Sequence, residues 1–351
     1  CLQRQLFYFI PILENQANQG FMLFKDVVGQ REVKQHLVEM VQHNRLSHAL
    51  LFLGKEGSGA QARAMAFAQY INLLPNQNNT APAETSLFGE ATPEITLPDT
   101  PEAADSWMPQ QAAFSKAENL VHPDIHFSYP VIPKKPGDKP VSTDYISEWR
   151  EFMTQMPYGN VYDWLQFIGA ENKQGNITAQ ECNDILRKLM LNSWESEFKI
   201  LILWMPEYLG NEGNKLLKLI EEPPTDTLFI LVAENESLIL PTILSRTQLV
   251  KVPVIETADL ADALVSKAAA SPEQARQIAP MAEGNYREAL QMIRHAEEDW
   301  QSLLREWLNA IVKTGPIAQV KWVEEISKLG REKQKQFLRY FTHLLEQGGD
   351  F

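Results

Sequence analysis

The stretch that most constrains this chain is residues 50–61, LLFLGKEGSGAQ, where an apolar run enters a glycine-rich turn and an alanine-rich segment leaves it. A strand, a glycine-rich turn and a helix in that order form a phosphate-cradling loop, whose active form reads G-x-x-x-x-G-K-[ST]. Gly54 and Gly59 stand in register, with Gly57 and Ser58 between them. The lysine position holds Ala60 and the Ser/Thr position holds Gln61. Glycines let backbone N–H groups approach a phosphate closely, so the cradle itself is expected to persist. The ammonium that reaches the outer phosphates is gone, as is the hydroxyl that holds magnesium. A nucleotide-binding fold that has lost hydrolysis is the expectation.

The rest of the chain supplies the layers such a loop needs. Apolar runs at Leu50–Leu53, Lys199–Trp204 and Leu228–Val232 read as buried strands, and Leu249–Val254 as a last strand. Helical spacing appears at Val33, Leu37, Met40 and Val41, again over Ala60–Leu74, and over Ile177–Leu191. In the last of these Ile177, Cys182, Ile185, Leu186 and Leu189 share a face and Thr178 is the expected N-cap. Asn214–Glu222 is a helix stopped by Pro223 and Pro224, and Pro241–Arg246 is a short helical turn. Strands alternating with helices imply an α/β fold with a mostly parallel sheet.

Two stretches break the pattern. Residues 75–118 are rich in Pro, Asn, Thr and acid without periodicity, and read as a largely disordered surface insertion. Residues 129–142, with four prolines and three lysines, read as an exposed loop. The insertion as a whole is placed at about 75–142. After Val254 only helices are expected, near 258–269, 272–281 and 286–295, with Asp259 and Ser271 as caps and Pro272 at a first helical position. Residues 298–346 continue helical, with Phe337, Leu338, Phe341, Leu344 and Leu345 on one face. Residues 1–20, which begin on Cys1, are expected to lie outside the fold.

Composition excludes several classes. The net charge of −13 opposes a chain that grips duplex DNA by itself. Two cysteines, Cys1 and Cys182, are too few for a structural zinc site or a disulfide framework, and fit a reducing cytoplasm. The apolar run LFYFIPIL near the N-terminus is too short to span a bilayer. His122 and His126 have a metal-ligand spacing for a helix, but Pro123 lies between them and no third ligand follows.

Four further motifs bear on chemistry. The strand ending in Trp204 continues LWMPE, so Leu203, Trp204 and Met205 stand where an active enzyme places Asp-Glu. Glu207, beyond Pro206, reads as an exposed turn residue. Ser245-Arg246 follows a short turn, and alone reads as a surface arginine without a task. KLLKLIEEPP at 215–224 carries no evident chemistry, and Arg287 in GNYREAL reads alone equally as a nucleotide-facing arginine of a lid domain and as an ordinary solvated first-turn residue.

Together, FKDVVGQREVKQHL at 24–37, NRLSHALLFLG at 44–54, HPD at 122–124, NKLLKLIEEPP at 214–224, ILSRT at 243–247 and GNYREAL at 284–290 resemble the clamp-loader subunits of bacterial DNA polymerase III. The resemblance covers residues 21–297. It implies an AAA+ module: an α/β domain over 21–254, a helical lid over 255–297 and a partial helical collar over 298–351. Ala60, Gln61 and the missing acids resemble the delta-prime branch rather than the gamma/tau motors. That branch implies no intrinsic ATPase within a DNA-directed DNA polymerase holoenzyme, with Arg246, beside Ser245, as an arginine finger acting in trans on a neighbour's ATP site.

Arg287 matches the lid arginine of the motors. Gly54, Gly57, Ser58, Gly59 and Arg287 would form the degenerate nucleotide site. The implied partners are the gamma/tau and delta subunits, with the sliding clamp and primer-template DNA reached through the complex, and no membrane. Residual ATP or ADP binding without hydrolysis is compatible with this, and no cofactor is required. Many members carry a four-cysteine zinc module after the first helix; here that region has no cysteine, so no zinc is expected. Thr247 stands where the family's Ser-Arg motif has cysteine. An active motor and an AAA+ scaffold without a finger role remain the alternatives.

Overall fold

The computed structural model describes residues 23–75, 97–170, 173–294 and 300–329, with a few positions between 334 and 342. Residues 1–20 and 76–96, together with Leu344 and Leu345, lie outside the described residues. The chain divides into two compact units between Glu256 and Thr257.

The first unit is an α/β layer around a five-stranded parallel sheet. The strands are β1 (Ala49–Gly54), β2 (Ile125–Ser128), β3 (Lys199–Trp204), β4 (Thr227–Ala233) and β5 (Gln248–Val252), in the order β2-β3-β4-β1-β5. β1 therefore lies between β4 and β5, with Leu51 opposite Leu231 on one side and Leu249 on the other. Parallel strands need crossovers, and helices supply them. α1 (Arg31–Gln42) precedes β1, and α2 (Ala60–Asn72) follows it. Between α2 and β3 lie α3 (Pro101–Trp107), α4 (Phe114–Glu118), α5 (Ile146–Gln155), α6 (Val161–Phe167) and α7 (Ala179–Leu189). α8 (Gly213–Glu221) joins β3 to β4, and α9 (Pro241–Leu244) joins β4 to β5.

The period-two alternation of strands sorts the core into two faces. Ala49, Leu51, Leu201, Leu203, Phe229 and Leu231 pack with Cys182, Ile185 and Leu189 of α7 and Leu216 and Ile220 of α8. On β1, Phe52 meets Phe67 of α2, with ring centroids 6.1 Å apart. Every residue of α2 is buried, which its many alanines permit. As expected, Thr178 caps α7, accepting the Glu181 N–H at 3.2 Å.

The stretch read as an insertion is structured where it is described. Thr100 caps α3 with Pro101 next to it, and Asp105 accepts the N–H groups of Phe24 (2.7 Å) and Lys25 (2.8 Å). β2 pairs with β3, Ile125 opposite Ile200, so the edge of the sheet falls between two stretches that look irregular in sequence. Tyr129, Val131 and Ile132 of the proline-rich segment are buried, and only its tip around the lysines is exposed. His122 and His126 do not share a helix, since His126 is on β2.

The second unit is helical: α10 (Thr257–Ala268), α11 (Pro272–Met281), α12 (Tyr286–Arg294), α13 (Trp300–Asn309) and α14 (Pro316–Ser327). Ser271 caps α11 through the Gln274 N–H. Asp259, expected as a cap, lies inside the first turn of α10. Leu338, expected on the apolar face of the last helix, is exposed, whereas Phe337 is buried and Phe341 packs edge-on against Trp307 at 4.8 Å. Among the described residues no helix is long and apolar enough to cross a membrane.

Candidate functional site

The glycine-rich loop leaves β1 and opens α2. Gly57 and Gly59 have positive φ (70° and 83°), a conformation that favours glycine. A Cβ on Gly54 would lie 2.5 Å from Ser58 Oγ and 2.9 Å from Val252, so β1 and β5 approach too closely there for any side chain. A Cβ on Gly59 would meet the Tyr158 ring at 2.7 Å. Ser58 N–H donates to the Lys55 carbonyl (3.0 Å), and Gln30 Nε2 donates to the carbonyls of Ser58 (3.2 Å) and Pro253. The loop is thus tied to the segment before α1 and to the exit of β5.

Tyr158 covers this loop. Its hydroxyl accepts the Val28 N–H at 2.8 Å, and burial pushes its pKa up to about 12, against that hydrogen bond and the nearby Arg63. The cleft lined by Gly54, Gly59, Gln61, Tyr158, Trp204 and Glu234 keeps about 20 Å³ of interior room. That is space for roughly one water molecule. In the loop and the first turn of α2, Ser58 Oγ, both amide atoms of Gln61 and all three guanidinium nitrogens of Arg63 are buried without a hydrogen-bond partner among the described residues.

The end of β3 is apolar. Trp204 is 2% exposed and its ring lies 5.2 Å from Trp149 and 6.2 Å from Phe152, so an aromatic cluster closes the end of this strand. Met205 adopts a positive φ of 59°. Glu207 is half-buried rather than an exposed turn residue. Its Oε1 accepts the N–H groups of Glu234 (2.7 Å) and Asn235 (2.9 Å), fixing the chain as it leaves β4. Burial raises its pKa, opposed by those N–H donors. The position has no spacing signal that reveals this in sequence.

The Ser-Arg pair sits between α9 and β5. Arg246 Nη1 donates to the Thr242 carbonyl (2.9 Å) and to Ser245 Oγ (3.1 Å), while Nη2 lies 2.6 Å from Glu221 Oε1 at the end of α8. Arg246 and Glu221 side chains are 37% and 39% exposed. The structure therefore joins ILSRT to KLLKLIEEPP, two motifs that spacing alone leaves unconnected. Arg287 belongs to the helical unit, in the first turn of α12, where it is buried rather than solvated.

HPD at 122–124 is a structural clamp. Asp124 accepts the N–H groups of Trp194 (2.6 Å), Glu195 (2.7 Å) and Ser196 (2.9 Å), which fixes the turn before β3. Desolvation pushes its carboxyl up, but the three N–H donors together hold it below its ordinary value. No group of three or more His, Cys, Asp or Glu among the described residues is arranged to hold a metal ion.

Comparison with known proteins gives this geometry a family. DNA polymerase III subunit delta' of Bacillus subtilis (strain 168) is 24% identical over 269 residues, covering 76% of this chain and 60% of that protein. Subunit tau of the same organism is 23% identical over 334 residues, covering 93% of this chain and 47% of that protein. The chain thus spans about half to three fifths of the length of these relatives. A gamma-subunit-related protein of Thermotoga maritima aligns in structure over 88% of this chain and 76% of its own, at 15% identity and a TM-score of 0.38. The sequence profile described as "DNA polymerase III, delta subunit" matches residues 29–256, well over half of the chain, and the protein belongs to that family.

Proposed function

We propose that this chain is a non-hydrolysing, delta-prime-type subunit of a DNA polymerase III clamp loader. Its place would be beside a gamma/tau-type motor, whose ATP site it completes with Arg246. The observation that carries this reading is the end of β3. Magnesium and the attacking water need carboxylates there, and Trp204 is instead packed into an aromatic cluster. Ala60 at the lysine position and Tyr158 over the loop support the same reading. With its own site without chemistry, the most useful group left is an arginine on a half-exposed turn. An arginine supplied in trans stabilises charge building on a neighbour's γ-phosphate. Hydrolysis by that neighbour would then release a closed clamp on primed DNA.

The test is ATPase activity of the clamp loader reconstituted with wild-type or Arg246→Ala protein, with the isolated chain as control. The isolated chain should be silent. The variant should assemble normally and lower turnover at the site it serves by about tenfold or more. Unchanged ATPase and clamp loading would remove the finger role. Turnover by the isolated chain would favour a motor, the reading that the match to tau keeps in view.

A further inference from the structure

Glu221 ends α8 and Glu222 follows at its cap, and that placement calls for a physical reason. A helix C-terminus carries partial negative charge, so carboxylates there are disfavoured unless a cation compensates. Glu222 already leaves helical geometry (φ −128°, ψ 74°), and the prolines after it end the helix. Glu221, the last helical residue, meets Arg246 at 2.6 Å. The arginine is therefore held at two nitrogens. Thr242 carbonyl and Ser245 Oγ take Nη1, and Glu221 takes Nη2. Ser245 Oγ in turn donates to the Thr242 carbonyl at 3.2 Å, which fixes the acceptor as well. Among the described residues Nε–H has no partner, so an edge of the guanidinium stays available.

We propose that Glu221 is a positioning residue for Arg246, orienting the guanidinium before a neighbour's phosphate reaches it. The inference rests on the trans-arginine role proposed above. A long, flexible side chain loses rotamer freedom when it binds. Three contacts at two nitrogens remove that loss in advance and leave part of the planar fork for the incoming anion. The pair is half-exposed and thus weak in itself. Its effect lies in orientation, and Glu221 does not touch the reacting atoms.

The experiment is a double-mutant cycle on the reconstituted clamp loader, measuring ATPase for wild type, Glu221→Gln, Arg246→Ala and the double variant. Glu221→Gln keeps the side chain's shape and removes its charge. It should lower kcat roughly fivefold, the equivalent of about 1 kcal/mol, with KM for ATP unchanged. In the Arg246→Ala background the same substitution should have no further effect, because its only route of action is gone. Unchanged or higher kcat for Glu221→Gln in the Arg246 protein would overturn the proposal. So would an equal loss in both backgrounds, which is the mark of a general structural role. If Arg246→Ala itself has no effect, the trans-arginine reading fails first, and Glu221 loses its role with it.

Discussion

Arg63 stands in the first turn of α2 with its side chain 0% exposed and no hydrogen-bond acceptor among the described residues. Burial lowers its pKa to about 10, with the neighbouring Tyr158 opposing the shift, so it still carries its charge at neutral pH. A buried cation without a partner costs free energy that a well-packed apolar side chain does not. Arg63→Met should therefore stabilise the protein, by about 1–3 kcal/mol. Urea unfolding of the two proteins measures this, and a lower midpoint for the variant would show that Arg63 has a compensating interaction. Periodicity gives no warning of this residue. The segment AQARAMAF looks like a partly exposed helix, and only the burial of all of α2 makes Arg63 unusual.

β2 shows the limits of pattern reading for whole elements. It has four residues, follows His122-Pro123 and is closed by Pro130, so it offers neither length nor clean alternation. Pairing with β3 and the Asp124 clamp hold it, and both are tertiary. By contrast β1, β3 and β4 are legible, because strands buried on both faces read as continuous apolar runs, and the edge strand β5 alternates buried Val250 and Val252 with exposed Leu249 and Lys251. The site divides in the same way. The glycine pattern, the absent lysine and the absent acids can be read directly. Tyr158, Glu207 and Glu221 act through contacts distant in sequence, where no motif spacing points. β2 and the segment before it also carry a pH response. Burial lowers His126 to about 4, with Lys188 adding to the shift, and it lowers His122 as well. The unfolded chain takes up these protons near pH 6.5, the folded chain only near or below 4 for His126. Between those values the unfolded state binds more protons, so the contribution is full above about pH 6.5 and is lost as the pH falls towards 4. For His126 it amounts to at most about 3 kcal/mol. The carboxyls Asp105, Glu181 and half-buried Glu207, all shifted upward by desolvation, act in the opposite sense near their own range. The informative quantity is thus the difference from His126→Gln, whose stability should fall less between pH 7.5 and 5 in urea titrations. Parallel loss in both proteins would mean that His126 is protonated in the folded state.

Charge is the property that belongs to the whole chain. Its 45 acidic residues outnumber 32 basic ones. Binding to nucleic acid draws mainly on release of counterions by Lys and Arg, and its strength falls steeply with salt. A chain with this balance has little to offer a phosphate backbone by itself. Lys134, Lys135 and Lys139 make up the most basic loop, and even there the groups are partly committed. Lys134 Nζ donates to the Asp144 carbonyl at 2.5 Å and lies over the Tyr145 ring at 4.6 Å. Its neighbour Lys135 offers a backbone N–H to the Asp138 carboxylate at 2.9 Å, which adds an acid to the same turn. The isolated protein should show no saturable binding to primer-template DNA up to about 10 μM at roughly 0.15 M salt. Fluorescence anisotropy of labelled primer-template, titrated with the isolated chain at two salt concentrations, measures this. Saturable micromolar binding with a steep salt slope would locate a DNA-facing surface on this subunit. Replacing the three loop lysines by glutamate would then tell whether that surface is the 129–142 segment.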